Sequence, residues 1–475
     1  MSLPEIAATP SKRQRVDNPA CDDDVTATSS GMVLARRPIL NPTSRSTSQR
    51  SRSIGPVKTT AALGNLRKPV RFPPLPENAV PSLPADVRKL YKRIRTITFY
   101  HEAFMPLSAR DDINRAANRR HRRSFFYDDN SSRAPLNMPI QTGPQASVKE
   151  DEAIGTRRPA PIDANVETGD GDTDGDDDSL PPGPSYAQQR RNRQPNSREA
   201  ALAELDMLAD LIAAANECRV LGRHEAAWNI QVHYPLFQLA FRPAESSHVL
   251  VEPVTHAAIA PSFLPPWNTL RAASDTSSET ADSKKLDFVL ALFVDPAPST
   301  LEGNWWPGRR AEADGSLAAA IREAVSAMSM EIGVNHLSYP PLRLSPIAGM
   351  VETKTGDGGS FEEGRRQLGV CVAAWHQCMA TLMASRPWMK DQRIVTFPLL
   401  LILEHDWRLS FAVDTGQSIN IYTDMSIGDT RSISGMYTIV AVLRAIAAWI
   451  RGPFSDWMRL LFLGAEPAQT TQQCR

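Results

Sequence analysis

The chain has 475 residues, enough for two or three average domains, but 38 prolines and long polar tracts leave a good part of it outside any core. Lys plus Arg and Asp plus Glu balance at 53 each, so bulk charge names no partner and only its uneven distribution informs. Five cysteines (Cys21, Cys218, Cys371, Cys378, Cys474) lack CxxC or Cys/His spacing, which excludes a zinc module and a secreted disulfide framework and points to a reducing intracellular compartment.

The N-terminus has no signal-peptide core. The longest apolar tract, residues 437–450, is too short to span a bilayer and contains Arg444. A soluble intracellular protein without a membrane partner is expected. Residues 1–80 are rich in Ser, Thr, Pro and Arg with little apolar periodicity, and read as a disordered tail. Within it, Lys12-Arg13-Gln14-Arg15 is a basic cluster of the nuclear-import type, weighed evenly against a solvated patch. The expected localisation is nuclear, otherwise cytoplasmic.

Residues 83–104 place Val87, Leu90, Ile94 and Ile97 at helical spacing. Arg119, Arg120, Arg122 and Arg123 beside Phe125, Phe126 and Tyr127 combine charge with rings, as nucleic-acid grooves do, although a solvated basic loop is the stronger reading. Residues 81–130 are therefore read as a helical segment with a basic-aromatic patch. Residues 131–196 form a disordered acidic linker. Its Asp170, Asp172, Asp174 and Gly175 echo a calcium loop, but Pro181 stands where the twelfth-position glutamate belongs, so a calcium site is rejected.

From residue 197 the sequence becomes regular. Helices are expected over 198–221, over 224–240 with Pro235 as a kink, and over 316–330. Strands are expected over 249–259, 286–294, 394–403, 408–413 and 418–422, with a last helix over 433–450 ending before Pro453. Trp305 and Trp306 fall in an irregular loop, and residues 466–475 read as a disordered tail.

Between these elements, residues 344–354 form an apolar strand ending on Glu352-Thr353-Lys354, followed by a glycine-rich turn and a helix over 361–384. Strand side chains alternate, so Glu352 and Lys354 share one face. A carboxylate and an ammonium next to a helix N-terminus suit a metal ion and a phosphate. The triplet itself is cheap. With ten lysines, about one acidic-x-Lys match is expected by chance, and Asp282-Ser283-Lys284 is a second, in a polar run. A hard cation needs further oxygens, and Asp287 at the start of the 286–294 strand supplies one. Its alternative reading is a water-exposed strand edge, since a buried carboxylate must be paired.

An ordered series then carries a resemblance. It comprises Glu225-Ala-Ala-Trp228-Asn229, Val232-His233-Tyr234-Pro235, Leu286-Asp287-Phe288, Asn335-His336, Pro346-Ile347-Ala348, Glu352-Thr353-Lys354, Gln367-Leu368-Gly369, Ala373-Ala374-Trp375, His405-Asp406-Trp407 and Gly435-Met436-Tyr437. Together these resemble the fungal PD-(D/E)XK nuclease-like domain. The resemblance implies an α/β fold with a restriction-endonuclease-like core (αβββαβ, a mixed sheet flanked by helices) and added strands and helices, over residues 197–465. It implies that Asp287 and Glu352 bind Mg2+ or Mn2+ with the Thr353 carbonyl, and that Glu225 is an accessory acid. Lys354 activates water and offsets phosphate charge, and Gln367 faces the site. Three departures stand out: Cys371 where RecB-like nucleases carry a tyrosine, a long Asp287–Glu352 gap, and Ile427-Gly428-Asp429-Thr430 in place of the family's Phe-Gly-Ser-Thr turn.

The expected function is a metal-dependent nuclease acting on DNA, or RNA. The rival is a non-catalytic nuclease-fold protein that binds nucleic acid or a protein. Arg365 and Arg366 are candidate contacts to backbone phosphates, with an exposed helix face equally expected. His233 and His405 read as polar core or turn residues, and His336 and His376 lack partners at metal-binding spacing. Cys371 and Cys378 read as packing residues. Gly356, Gly358 and Gly359 lack the Gly-Lys-Ser/Thr ending of a phosphate loop.

Overall fold

The apolar runs pair into one sheet in the computed structural model. It describes residues 59–75, 79–129, 197–243, 246, 248–268, 285–294, 314–328, 333–356 and 360–464, save the side chains of 423 and 424. The basic cluster at 12–15, the acidic linker, Asp282–Lys284, Trp305, Trp306, Gly358 and Gly359 lie outside the described residues. The strands are β1 (Val70–Arg71), β2 (Val249–Pro253), β3 (Phe288–Leu292), β4 (Ile347–Lys354), β5 (Phe397–Leu403), β6 (Asp406–Asp414) and β7 (Ile419–Asp429), in the spatial order β1-β7-β6-β5-β4-β3-β2. β2, β3 and β4 form an antiparallel meander, whereas β4 and β5 run parallel. A parallel pair needs a crossover, and a 24-residue helix, Phe361–Ala384, provides it.

The principal helices are α1 (Ala85–Thr98), α2 (Ser197–Val220), α3 (Glu225–Trp228), α4 (Tyr234–Phe241), α5 (Gly315–Ser326), α6 (Phe361–Ala384), α7 (Ile433–Trp449) and α8 (Ser455–Leu463). All eight residues of β4 are buried, as expected of a strand covered on both faces. On one face α6 presses against the sheet. A Cβ on Gly364 would lie 2.4 Å from Leu401 Cδ1, and the Trp375 ring stands 4.2 Å from Phe397. On the other face, Phe237 of α4 packs on Phe288 and Trp407, with centroids 5.9 and 5.1 Å apart.

Both prolines that interrupt a helical pattern are absorbed by wide turns. A proline removes an N–H and clashes with the preceding turn's carbonyl, and a π-turn widens the helix to make room. Asn229–His233 does this before Pro235, and Ile450–Phe454 does it around Pro453. The second case corrects the expectation that the last helix stops before Pro453. Helix continues to Leu463, and Ile433–Leu463 is long and apolar enough to cross a membrane by length and composition. Its apolarity has an internal explanation, because α7 packs on α1, α2, α4 and β7, and 78% of its most apolar window is buried.

A second correction concerns the expected tail. Residues 59–75 are placed, not structureless: a 3₁₀ turn, Thr60–Asn65, is capped by the Thr59 side chain and buries Leu63, and β1 pairs with β7. A Cβ on Gly369 of α6 would lie 2.5 Å from Leu63 Cδ1, so the absent side chain is what lets this segment dock. Leu63, Leu66 and Val70 are too few to make a periodic pattern, which is why the segment reads as tail. Residues 79–129 are likewise part of the core, with Val87, Leu90, Ile94 and Ile97 of α1 all buried. Among the strands, β7 runs seven residues past Tyr422, to Asp429, because polar Thr423 and Asp424 hide its continuation. The strand expected over 249–259 ends at Pro253, and Ala258–Ile259 pairs separately with Leu337–Ser338.

Of the buried histidines, His233, His336 and His376 are the least exposed. Burial pushes His233 down to about 4, and His336 and His376 each down to about 3. A folded-state pKa below the unfolded value of about 6.5 gives stability that is complete above that pH and lost as pH falls toward 4. Denaturant midpoints measured from pH 7 to 4 should therefore fall on acidification. A His336→Asn/His376→Asn variant should show a shallower fall.

Candidate active site

The register brings the two predicted carboxylates together. Phe288 pairs with Val351, so Asp287 stands opposite Glu352 when the ladder is continued by one residue. Facing residues in an antiparallel pair have Cβ atoms about 4.5–5.5 Å apart. Glu352 pairs with Leu401, the residue against which Gly364 packs, so Glu352 and Lys354 project on the face covered by α6. Ser360 caps that helix by accepting from Glu363 N at 3.1 Å, which fixes where α6 begins.

Lys354 ties the site together. Its Nζ donates to Glu352 Oε1 at 2.6 Å, to the Thr353 carbonyl at 2.8 Å and to Glu225 Oε2 at 3.3 Å. Asp287 is held differently: its Oδ2 accepts from Thr353 N at 2.8 Å and Thr353 Oγ1 at 2.9 Å, and Asn229 hydrogen-bonds the same carboxylate. Glu352 is only 1% exposed, and its Oε2 has no hydrogen-bond partner.

The electrostatics follow from three carboxylates around one ammonium. Burial, reinforced by the charges of Asp287 and Glu225, pushes Glu352 well above the usual carboxylate range. Burial also raises Asp287 and Glu225. For Lys354, burial works downward, but the surrounding carboxylates outweigh it and the ammonium is held above its ordinary value. With all groups ionised, Asp287, Glu225, Glu352 and Lys354 sum to two negative charges.

That excess fits a hard divalent cation. Among the described residues no three His, Cys, Asp or Glu side chains are grouped to hold a metal. Magnesium, however, is ordinarily bound through one or two carboxylates and keeps several waters. Asp287, Glu352 with its unbonded Oε2, and the Thr353 carbonyl supply an all-oxygen set of that size.

Other predicted residues stand further out. Gln367 Nε2 reaches the Lys285 carbonyl at 3.4 Å, two residues before Asp287, and its Oε1 is buried without a partner. Arg365 pairs with Glu362 at 2.9 Å and lies 4.2 Å over the Phe361 ring, while Arg366 pairs with Glu363 at 3.4 Å. Both arginines thus sit in pairs along their own helix. The Glu363 charge reaches Glu225, so the start of α6 borders the site. His233 and His405 are buried, His405 bonding Thr430 Oγ1 at 2.8 Å, and Cys371 and Cys378 are buried thiols outside any disulfide, in line with their structural readings.

Two features escaped the sequence. Glu404, at the β5–β6 turn, has φ 51° and clamps the end of β4: its N donates to the Lys354 carbonyl and its Oε1 accepts from Gly356 N, both at 2.9 Å. Its other oxygen pairs with Arg219 and its carbonyl lies 3.1 Å from His233 Nε2. Nothing in a Leu-Glu-His-Asp stretch announces a left-handed glutamate. Beside it lie two polar pockets, one lined by Arg219, Gly356, Asp406 and Arg431 and the other by Arg219, Arg223, Thr355 and Gly356, whose arginines only the fold gathers. Asn229 is the second feature, and its spacing of four from His233, which it bonds at 3.0 Å, was the available signal.

An antiparallel meander leading through a helix to a parallel fourth strand, with Asp and Glu-x-Lys facing each other on the central strands, defines a restriction-endonuclease-like α/β protein. The family model described as the PD-(D/E)XK nuclease superfamily matches residues 172–455, and the chain belongs to that superfamily. Searches of the curated proteins and of the solved structures give no match.

Proposed function

We propose that the chain is a divalent-metal-dependent nuclease that hydrolyses phosphodiester bonds of DNA, or of RNA. The convergence of Asp287, Glu352 and Lys354 at the end of β4 carries this reading. Asp287, Glu352 and the Thr353 carbonyl would hold Mg2+ or Mn2+, with Glu225 as an accessory acid. The cation supplies Lewis acidity to the scissile phosphate and to the attacking water. Lys354 places an ammonium where negative charge develops on the phosphate and orients the water. Thr353 and Asn229 keep the Asp287 carboxylate aimed, and Gln367 lines the approach from α6. Arg365 and Arg366 would exchange their helix carboxylates for backbone phosphates.

A rival keeps the fold without catalysis. One observation favours it: the Lys354 ammonium already engages Glu352 Oε1 and the Thr353 carbonyl. The test is cleavage of labelled single- and double-stranded DNA and RNA with Mg2+ or Mn2+. Wild type is compared with Lys354→Ala and with Glu352→Gln, which does not strand a buried charge. Wild type should cleave and both variants should not, by a factor of about 10²–10⁴ or more. Equal cleavage by all three marks a contaminant, and binding without cleavage supports the rival.

We read the ordered motif series as the fungal branch of the superfamily, and the Lys12–Arg15 cluster as directing the chain to the nucleus. A reporter fusion that stays cytoplasmic with the cluster intact would contradict the second point.

A further inference from the structure

The loop after α1 carries a surface that this chemistry does not use and that lies outside the matched residues 172–455. Residues 85–129 hold eleven Lys and Arg against six Asp and Glu, while the whole chain is neutral. His101 and Ala103 take left-handed φ values of 54° and 50°, costly for residues with a Cβ. Backbone bonds from Ala103 N to the Ser124 carbonyl and from Phe104 N to the Phe125 carbonyl, 2.8 and 3.0 Å, hold this bend against the arginine-rich segment. The rings of His101 and Phe104 pack on Phe125 beneath it, with centroids 5.5 and 5.3 Å away.

What the bend displays are two uncovered rings. Phe99 is 68% and Tyr100 55% exposed, edge to face at 5.1 Å. The Arg95 guanidinium stands 5.5 and 5.7 Å from their centroids. Arg119, Arg120 and Arg122 are exposed and make no ion pair among the described residues. Glu102 is the acid of this bend, and Arg93 faces it. The rings named from sequence differ: Phe126 is buried and Phe125 half-buried, so the accessible aromatics come from the other strand of the bend.

We infer that this surface binds a single-stranded segment of nucleic acid, with bases stacking on Phe99 and Tyr100 and phosphates meeting Arg119, Arg120 and Arg122. Such a strand offers both base faces and phosphates, and this surface carries exposed rings beside the Arg95 guanidinium on one side of the backbone-held bend and exposed arginines on the segment it is bonded to. A duplex keeps its base faces stacked on one another. A protein partner would have to desolvate three unpaired cations. The inference rests on the nucleic-acid reading above but not on catalysis.

The test is fluorescence anisotropy of the full chain with labelled oligothymidylate, oligouridylate and a blunt duplex, in EDTA. Single strands should bind more tightly than the duplex. Phe99→Ala/Tyr100→Ala should weaken single-strand binding about 30-fold, whereas Phe99→Trp/Tyr100→Trp retains it. Arg119→Ala/Arg120→Ala/Arg122→Ala should flatten the slope of log affinity against log salt by about 2. Unchanged binding by the alanine pair, or no single-strand binding by wild type, overturns the inference. If wild type cleaves with Mg2+ but the alanine pair binds normally, this inference fails and the nuclease reading stands. If the pair loses binding and wild type does not cleave, the reverse holds.

Discussion

Replacing Glu352 with glutamine is expected to abolish metal-dependent cleavage and, in the absence of metal, to make the protein more stable. Glu352 is buried with one oxygen unbonded and two further carboxylates acting on it. Glutamine keeps an acceptor for Lys354 Nζ and puts a donor where the unbonded oxygen lies, removing one of three crowded charges. The gain should be on the order of 1–2 kcal/mol near neutral pH. Its pH dependence has a definite sign. Because the folded state raises the Glu352 pKa, it holds the proton more tightly than the unfolded chain, so wild-type stability falls as pH rises above the ordinary carboxylate range. That slope opposes the one set by His233, His336 and His376. Glu352→Gln should therefore steepen the loss on acidification between about pH 6.5 and 4, read by denaturant titration. A variant less stable than wild type without metal would contradict this.

Asp287→Ala should also abolish cleavage, yet with the opposite effect on stability. Asp287 accepts from both the backbone and the hydroxyl of Thr353, and Thr353 is fully buried. Truncation leaves that N–H and hydroxyl without their acceptor inside the sheet, at a cost of about 1–3 kcal/mol for each group left unsatisfied. The two carboxylates share a site but not a structural role: Asp287 is anchored, whereas Glu352 is held in excess. Thermal melts of the two variants without metal should shift in opposite directions. Shifts of the same sign would mean that the asymmetry in hydrogen bonding does not govern the site.

The strand ending in Glu352-Thr353-Lys354 was legible because its side-chain alternation, the glycine-rich turn and helix after it, and Asp287 on an apolar neighbour are all local patterns. Helix α6 likewise runs over the residues its periodicity marks. What escaped is non-local. The docking of Leu63 on Gly369 joins residues 306 positions apart, and no pattern within 59–75 announces it. Asn229 meeting Asp287 and the left-handed Glu404 closing over Gly356 depend on elements brought together by the sheet, and Glu225 was expected beside Lys354 only through the family resemblance. Arg365 and Arg366 show the converse. Their charge is visible in the sequence, but so are the i,i+3 carboxylates Glu362 and Glu363 that pair with it on the same helix. Pro453 misled in a different way, because only the fold shows that a π-turn at Ile450–Phe454 carries the helix past it to Leu463.

The account turns on whether these oxygens hold a divalent cation. The most direct measurement is the melting temperature of wild type and Glu352→Gln as Mg2+ is titrated, at pH 5.5 and at pH 8. Ligand binding to the folded state raises stability by mass action, and protons compete for the same carboxylates. Wild type should show a saturable rise, larger at pH 8, and Glu352→Gln should show none. Equal responses in the two proteins, or no response in wild type at either pH, would contradict the assignment of the site.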